Sequence, residues 1–194
     1  MLDKVAASAA PVNVAKVDRL YLVLQHLPAI TRRRPGILVR MSRVRVSAKA
    51  DYAVRAAVEL AGAGEESWTA EVIASRQNIP MPFLQKILHE LRVARLVSSQ
   101  RGPDGGHRLA RPAKEISVAD ILRAVEGPIA AVRGEAPEAL HYHGAAEPVQ
   151  LVWIALRTNM REVLEGVTLA DLAAARLPRR ISLLARKPES WITR

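Results

Sequence analysis

There is no cysteine anywhere in these 194 residues. That absence excludes disulfides, thiolate metal sites and cysteine nucleophiles together, and it fits a reducing cytoplasm. Long apolar runs are missing too, since none approaches the roughly 18 residues of a membrane-spanning helix. The N-terminus, MLDKVAASAAPVNVAKVDRL, scatters charges through its only apolar part and lacks the layout of a secretory signal. Acidic residues are scarce beside basic ones, 19 Asp and Glu against 29 Lys and Arg, which leaves a formal charge of +10 and a pI near 10.8. Such an excess points to a polyanionic partner, nucleic acid or an anionic membrane surface, and charge alone does not choose between them. The signatures of catalysis are absent as well. No nucleophile stands with a base, no carboxylates are paired, and GPDGG lacks the strand-loop-helix context of a phosphate-binding loop. No catalytic residues are expected.

What is present is a chain with 49% hydrophobic residues, enough to bury a core as a soluble globular protein. Its charge is unevenly spread. Residues 1–43 hold eight basic residues against two acidic ones, residues 44–112 ten against seven, and the remainder eleven against ten. The first segment, with its TRRRPG run, reads as a loosely ordered basic extension, and the native product is expected to begin near Met41. From there the organisation expected is a DNA-binding domain over 44–112, a dimerisation region over 113–177 with a loop at 129–148, and a tail over 178–194.

Ser47 can cap a helix whose Ala53, Ala56, Ala57, Leu60 and Ala61 share one face, closed by Gly62 and Gly64. Thr69 opens a second, short helix, and RQNIP turns into a third whose first turn accommodates Pro82. In that third helix Leu84, Ile87, Leu88 and Leu91 follow the i, i+3, i+4, i+7 rule and face the core. Gln85, Lys86, His89 and Arg92 are left outward. Next come LVSSQ and HRLAR, two short strand-like runs joined by Pro103, Asp104, Gly105 and Gly106, with Arg101 and Arg108 on the flanks: a cationic β-hairpin. Three short helices followed by a hairpin make a winged helix-turn-helix. The fold class expected is mainly α with a small β-hairpin wing, completed by a C-terminal dimerisation helix. Ser117 to Asp120 form a capping box before a helix with Val118, Ile121, Leu122 and Val125 on its apolar face. Val149, Trp153, Leu156, Met160, Val163 and Val167 then repeat at spacings of 4, 3, 4, 3, 4, a short coiled-coil seam suited to contact between two subunits. Thr168 to Asp171 form a second capping box.

DYAVRAAVELA, FLQKILHELRVARLVSSQRG, GGHRLARP, ISVADILRAVEGP and VTLADL resemble, in order and spacing, the Rrf-two family of bacterial winged helix-turn-helix transcriptional regulators. The resemblance implies a homodimer that binds double-stranded DNA at a palindromic operator, usually to repress. It puts Pro82, Gln85 and Lys86 at the groove-facing start of the recognition helix and Arg101 on a wing that probes the minor groove. His89 and Arg108 complete the candidate DNA-binding set. Gln is chemically suited to adenine, Lys to guanine, and Arg to a narrow electronegative minor groove. Many members hold an iron-sulfur cluster through three cysteines after the capped helix. IAAVRGEAPEALHYHGAAEP supplies none, so no cluster and no other cofactor is expected, and a small-molecule effector stays unknown, with this loop as its candidate place. Asp51 matches a carboxylate ligand of some members but reads more simply as a surface residue. His141 and His143 alone do not make a metal site. A sequence-neutral binder of nucleic acid or membrane surface is the alternative that the charge leaves open.

Overall fold

A computed structural model of the protein describes residues 46–100, 102 and 105–192. The basic extension, Arg101, Pro103 and Asp104 lie outside the described residues. Helix α1, Ala48–Ala63, begins at Ser47, whose hydroxyl accepts from the Ala50 N–H at 3.0 Å. It continues through Gly62, ends one residue later at Ala63 and is capped by Gly64, whose φ of 65° suits a residue without Cβ. Its alanines explain the architecture, because Ala50, Ala53, Ala56 and Ala57 are fully buried and let neighbouring helices approach closely.

Helix α2, Ala70–Gln77, starts at Thr69, and helix α3, Met81–Val93, carries Pro82 in its first turn. Leu84, Ile87, Leu88 and Leu91 of α3 are buried as their spacing predicts, each contributing about 2 kcal/mol by removal from water. Strands β1, Val97–Gln100, and β2, Gly106–Leu109, then pair antiparallel, with Val97 opposite Leu109 and Ser99 opposite His107. Gly106, expected in the hairpin tip, is instead the first residue of β2 and pairs with Gln100.

Helix α4, Val118–Glu126, and helix α6, Leu169–Ala173, both start at reciprocal capping boxes, Ser117 with Asp120 and Thr168 with Asp171. The two caps face each other across an isolated antiparallel bridge. Ile116, Ile121, Val125 and Leu169 join the same core as the alanines of α1 and the leucines of α3. Between them runs α5, Val149–Glu165, none of whose side chains is buried. It ends before Val167, so that residue is no part of a helical seam and is buried instead. Two single 3-10 turns, Pro137–Ala139 and Gly144–Ala146, interrupt the loop before α5. The tail, which carries little pattern in sequence, forms α7, Arg179–Ala185, and a 3-10 turn at Pro188–Trp191.

Candidate nucleic-acid interface

The amphipathicity of α3 follows from its sequence. Four leucine-class residues anchor one side, and Pro82, Gln85, Lys86, His89 and Arg92 are exposed on the other. Prolines at positions 80 and 82 fix the entry angle of the chain, so the first exposed side chains project from a stiff terminus. Phe83 adds an aromatic surface there, 57% exposed and edge-on to Tyr52 of α1 with ring centroids 6.4 Å apart. Sequence reasoning passed over Phe83, whose position between apolar neighbours suggests core rather than surface.

The hairpin is built against this helix. Trp68 and His107 exchange backbone hydrogen bonds at 2.9 and 2.8 Å, tying the base of β2 to the segment that opens α2. At the far end Gly105 N–H donates to the Gly102 carbonyl at 2.9 Å, and Gly102 has a φ of 119°, outside the range most side chains tolerate. Alternation along β2 points Arg108 outward and His107 inward. Arg92 Nη1 reaches Ser99 Oγ at 3.5 Å, and its Nη2 lies 3.3 Å from His89 Nδ1, so the end of the helix touches the first strand. A recess of about 250 Å³ remains, lined by Gln85, Leu88, His89, Arg92, His107 and Ala70. Within it His107 Nδ1 is buried with no partner. Burial pushes its imidazole below the ordinary value of 6.5, the Arg92 charge adds to this, and Glu71 of α2 opposes it.

The structure brings Gln85, Lys86 and His89 onto one exposed helix face and sets Arg108 on the adjoining hairpin. Arg101 lies outside the described residues. Carboxylates elsewhere occupy Lys49, Arg55 and Arg76, but none of the ion pairs among the described residues takes up Lys86 or Arg108. Their charge is directed at solvent. Asp51 pairs with Arg55 at 3.2 Å, one turn along α1. His141 and His143 are exposed, and no group of three metal-ligating side chains occurs among the described residues.

On α5 the sequence seam is only partly displayed. Gln150 Nε2 donates to the Leu140 carbonyl at 2.6 Å, and Trp153 Nε1 donates to Tyr142 Oη at 3.1 Å, so this side of the helix is turned toward its own loop. Val149, Trp153, Leu156 and Met160 are half-buried and Val163 is exposed. Val152, which is not in that seam, is 57% exposed one turn before Leu156. Val149, Val152, Leu156 and Val163, at steps of three, four and seven, form a second apolar edge next to that seam.

The profile of the Rrf2 family, "Iron-dependent Transcriptional regulator", matches residues 46–175. The chain is 49% identical over 143 residues to Rv1287 of Mycobacterium tuberculosis, which carries the name of an HTH-type transcriptional regulator, covering 73% of this chain and 89% of that one. It is 35% identical to the HTH-type transcriptional regulator CymR of Bacillus subtilis over 68% of this chain and 91% of the relative. Among solved structures, CymR, the global cysteine regulator of B. subtilis, superposes with a TM-score of 0.59 at 33% identity, covering 69% of this chain and 98% of that one. IscR of T. potens gives 0.55 at 32% identity over 78% and 93%. The iron in the family's description has no thiolate to hold it here, because the chain contains no cysteine. With its helical headpiece, its hairpin wing and this breadth of match, the protein is a transcriptional regulator that belongs to the Rrf2 family.

Proposed function

We propose that the protein is a sequence-specific repressor of the bacterial cytoplasm that acts as a homodimer on a palindromic operator. The observation that carries this reading is the pairing of an exposed, uncompensated Gln85–Lys86–His89 face with a hairpin anchored beside it through Trp68. A helix face mixing amide, ammonium and imidazole offers directional hydrogen bonds to base edges, whereas a sequence-neutral binder needs only charge. The hairpin is then the wing, with Arg108 and Arg101 supplying its cations. The apolar edge of α5 supports the dimer, since two copies meeting about a twofold axis would cover Val152, Leu156 and Val163. No helix among the described residues is long and apolar enough to cross a membrane. The chain offers no thiolate to an iron-sulfur cluster, and on this reading the regulator answers to another input.

The test is a competition titration. Duplexes selected from random DNA by the protein are sequenced, and the preferred one is titrated against its scrambled form at several salt concentrations. A preference of about a thousandfold, with an inverted repeat in the selected sequence, is expected. Equal affinity for both duplexes would return the protein to the sequence-neutral class.

A further inference from the structure

We infer that the cleft between the end of α4 and the middle of α5 is a binding site for a small molecule carrying two or more oxyanion groups. The cleft has a volume of about 480 Å³ and is lined by Arg123, Gly127, Pro128, Ile129, Arg157 and Arg161. That is room for a metabolite rather than for a single ion. Arg157 and Arg161 stand one turn apart on α5, and Arg123 faces them from the last turns of α4. Gly127, with a φ of 86°, turns the chain so that Pro128 and Ile129 form the apolar wall.

The arginines are held but not saturated. Glu165 accepts from Arg123 and, at 3.0 Å, from Arg161 Nε, while Glu138 accepts from Arg157. Asp120 adds only a 3.5 Å contact to Arg123. Each guanidinium has five N–H donors in a fixed fork, so a few bonds to carboxylates leave most of each fork free while locking its position. The hydrogen bonds from Arg123 and Arg161 hold the Glu165 carboxyl below its ordinary range, which keeps this scaffold charged. The carboxylates that hold the three arginines offset their formal charge, but the lining of the cleft itself carries three guanidiniums and no carboxylate, so their free N–H donors, set against an apolar wall, suit a compact polyanion that can form bidentate pairs. Dicarboxylates, tricarboxylates and phosphorylated metabolites share that chemistry.

The cleft is connected to the recognition helix. In the last turn of α4, the Val125 carbonyl accepts from Lys49 Nζ and Glu126 Oε1 accepts from Ser47 Oγ at 2.6 Å. Lys49 also pairs with Glu90 of α3 at 2.8 Å. A ligand that draws Arg123 toward the cleft therefore acts on a helix turn that shares Lys49 with the DNA-facing helix. This regulatory consequence rests on the DNA-binding reading. Ligand binding itself does not.

Calorimetric titration of the full chain with pyrophosphate, citrate and acetate, at matched ionic strength and without DNA, tests the site. Citrate, pyrophosphate or both should bind saturably with one site per chain, and the one preferred tells carboxylate from phosphate ligands; acetate should not bind. Arg157→Gln and Arg161→Gln should each weaken binding by about tenfold or more. Should Arg157→Gln lose its thermal transition, Arg161→Gln, whose side chain is exposed, carries the comparison alone. Failure of both polyanions to saturate, unchanged binding in the arginine variants, or loss of binding in Lys86→Ala, which would move the anion to the DNA-facing side, would each overturn the site. On operator DNA the bound anion should shift affinity in the unaltered protein and cease to do so in Lys49→Met. A Lys49→Met protein that still binds the anion and still responds would overturn the Lys49 route.

Discussion

Trp68 and His107 form a two-bond backbone bridge that converts a free hairpin into a braced one. Next to it, Gly106 packs so closely that an added Cβ would stand 2.8 Å from the carbonyl carbon and oxygen of Trp68. Gly106→Ala is therefore expected to destabilise the protein by roughly 1 to 3 kcal/mol, the usual cost of forcing backbone apart in a packed place. Urea denaturation measures the loss, and amide exchange should show faster opening at His107 and Trp68 than in the helices.

The buried face of the same bridge predicts a pH dependence. The imidazole of His107 is held neutral because burial and Arg92 push it below its ordinary 6.5, against the pull of Glu71. Below that value the unfolded chain takes up a proton that the folded chain refuses. Stability is consequently full above pH 6.5 and falls as pH drops toward the folded-state value. His107→Gln removes this contribution. Denaturation curves from mildly alkaline to mildly acidic pH should lie closer together in the variant than in the unaltered protein; curves that spread equally would refute the assignment.

Gln85 and Arg101 should fail in different ways. Gln85→Ala is expected to cost about 1 to 3 kcal/mol on the preferred duplex and little on scrambled DNA, so the ratio between them falls. Arg101→Ala is expected to weaken both duplexes and to make the salt dependence shallower by about one unit of slope per phosphate-proximal charge lost. Binding isotherms at several salt concentrations separate the two. A Gln85→Ala protein weakened alike on both duplexes would take base reading away from α3.

For the subunit contact the exposed position is the informative one. Val152 is 57% exposed in the single chain, so Val152→Glu should leave the fold intact by circular dichroism. Placed in the interface, the carboxylates of two copies would meet near the twofold axis at high cost. Sedimentation should then report a monomer, and operator affinity should fall by at least about tenfold because half-sites are no longer bound together. A Val152→Glu protein that still sediments as a dimer would place the contact elsewhere.

The headpiece was readable because its signals are local. Ser47, Thr69, Ser117 and Thr168 cap where their sequence contexts say they should, and the leucine-class periodicity of α3 names its own buried face. What escaped depends on partners far away in the chain. His107 looks like a polar strand residue until α2 and α3 close over it, and Lys49 looks like surface until Glu90 and Val125 meet it. The exposed side of α5 was equally hard to read from spacing alone, since Trp153 is turned toward Tyr142 within the chain. Which edge of that helix is free depends on Tyr142 and Leu140, in a loop whose conformation has no periodic signature.

The bridge between Ser117 and Thr168 governs more than two helix starts. The chain leaves the headpiece through the first cap, runs out along α5 and returns through the second, so both ends of that excursion are pinned side by side. In the proposed dimer joined through α5, an arm pinned in this way would hold one recognition helix at a set distance from the other. Such a protein would act as a caliper set to one turn of the double helix, about 34 Å. Its operators should tolerate a changed base better than an added one, because a single inserted base pair rotates one half-site out of the reach of jaws that cannot follow.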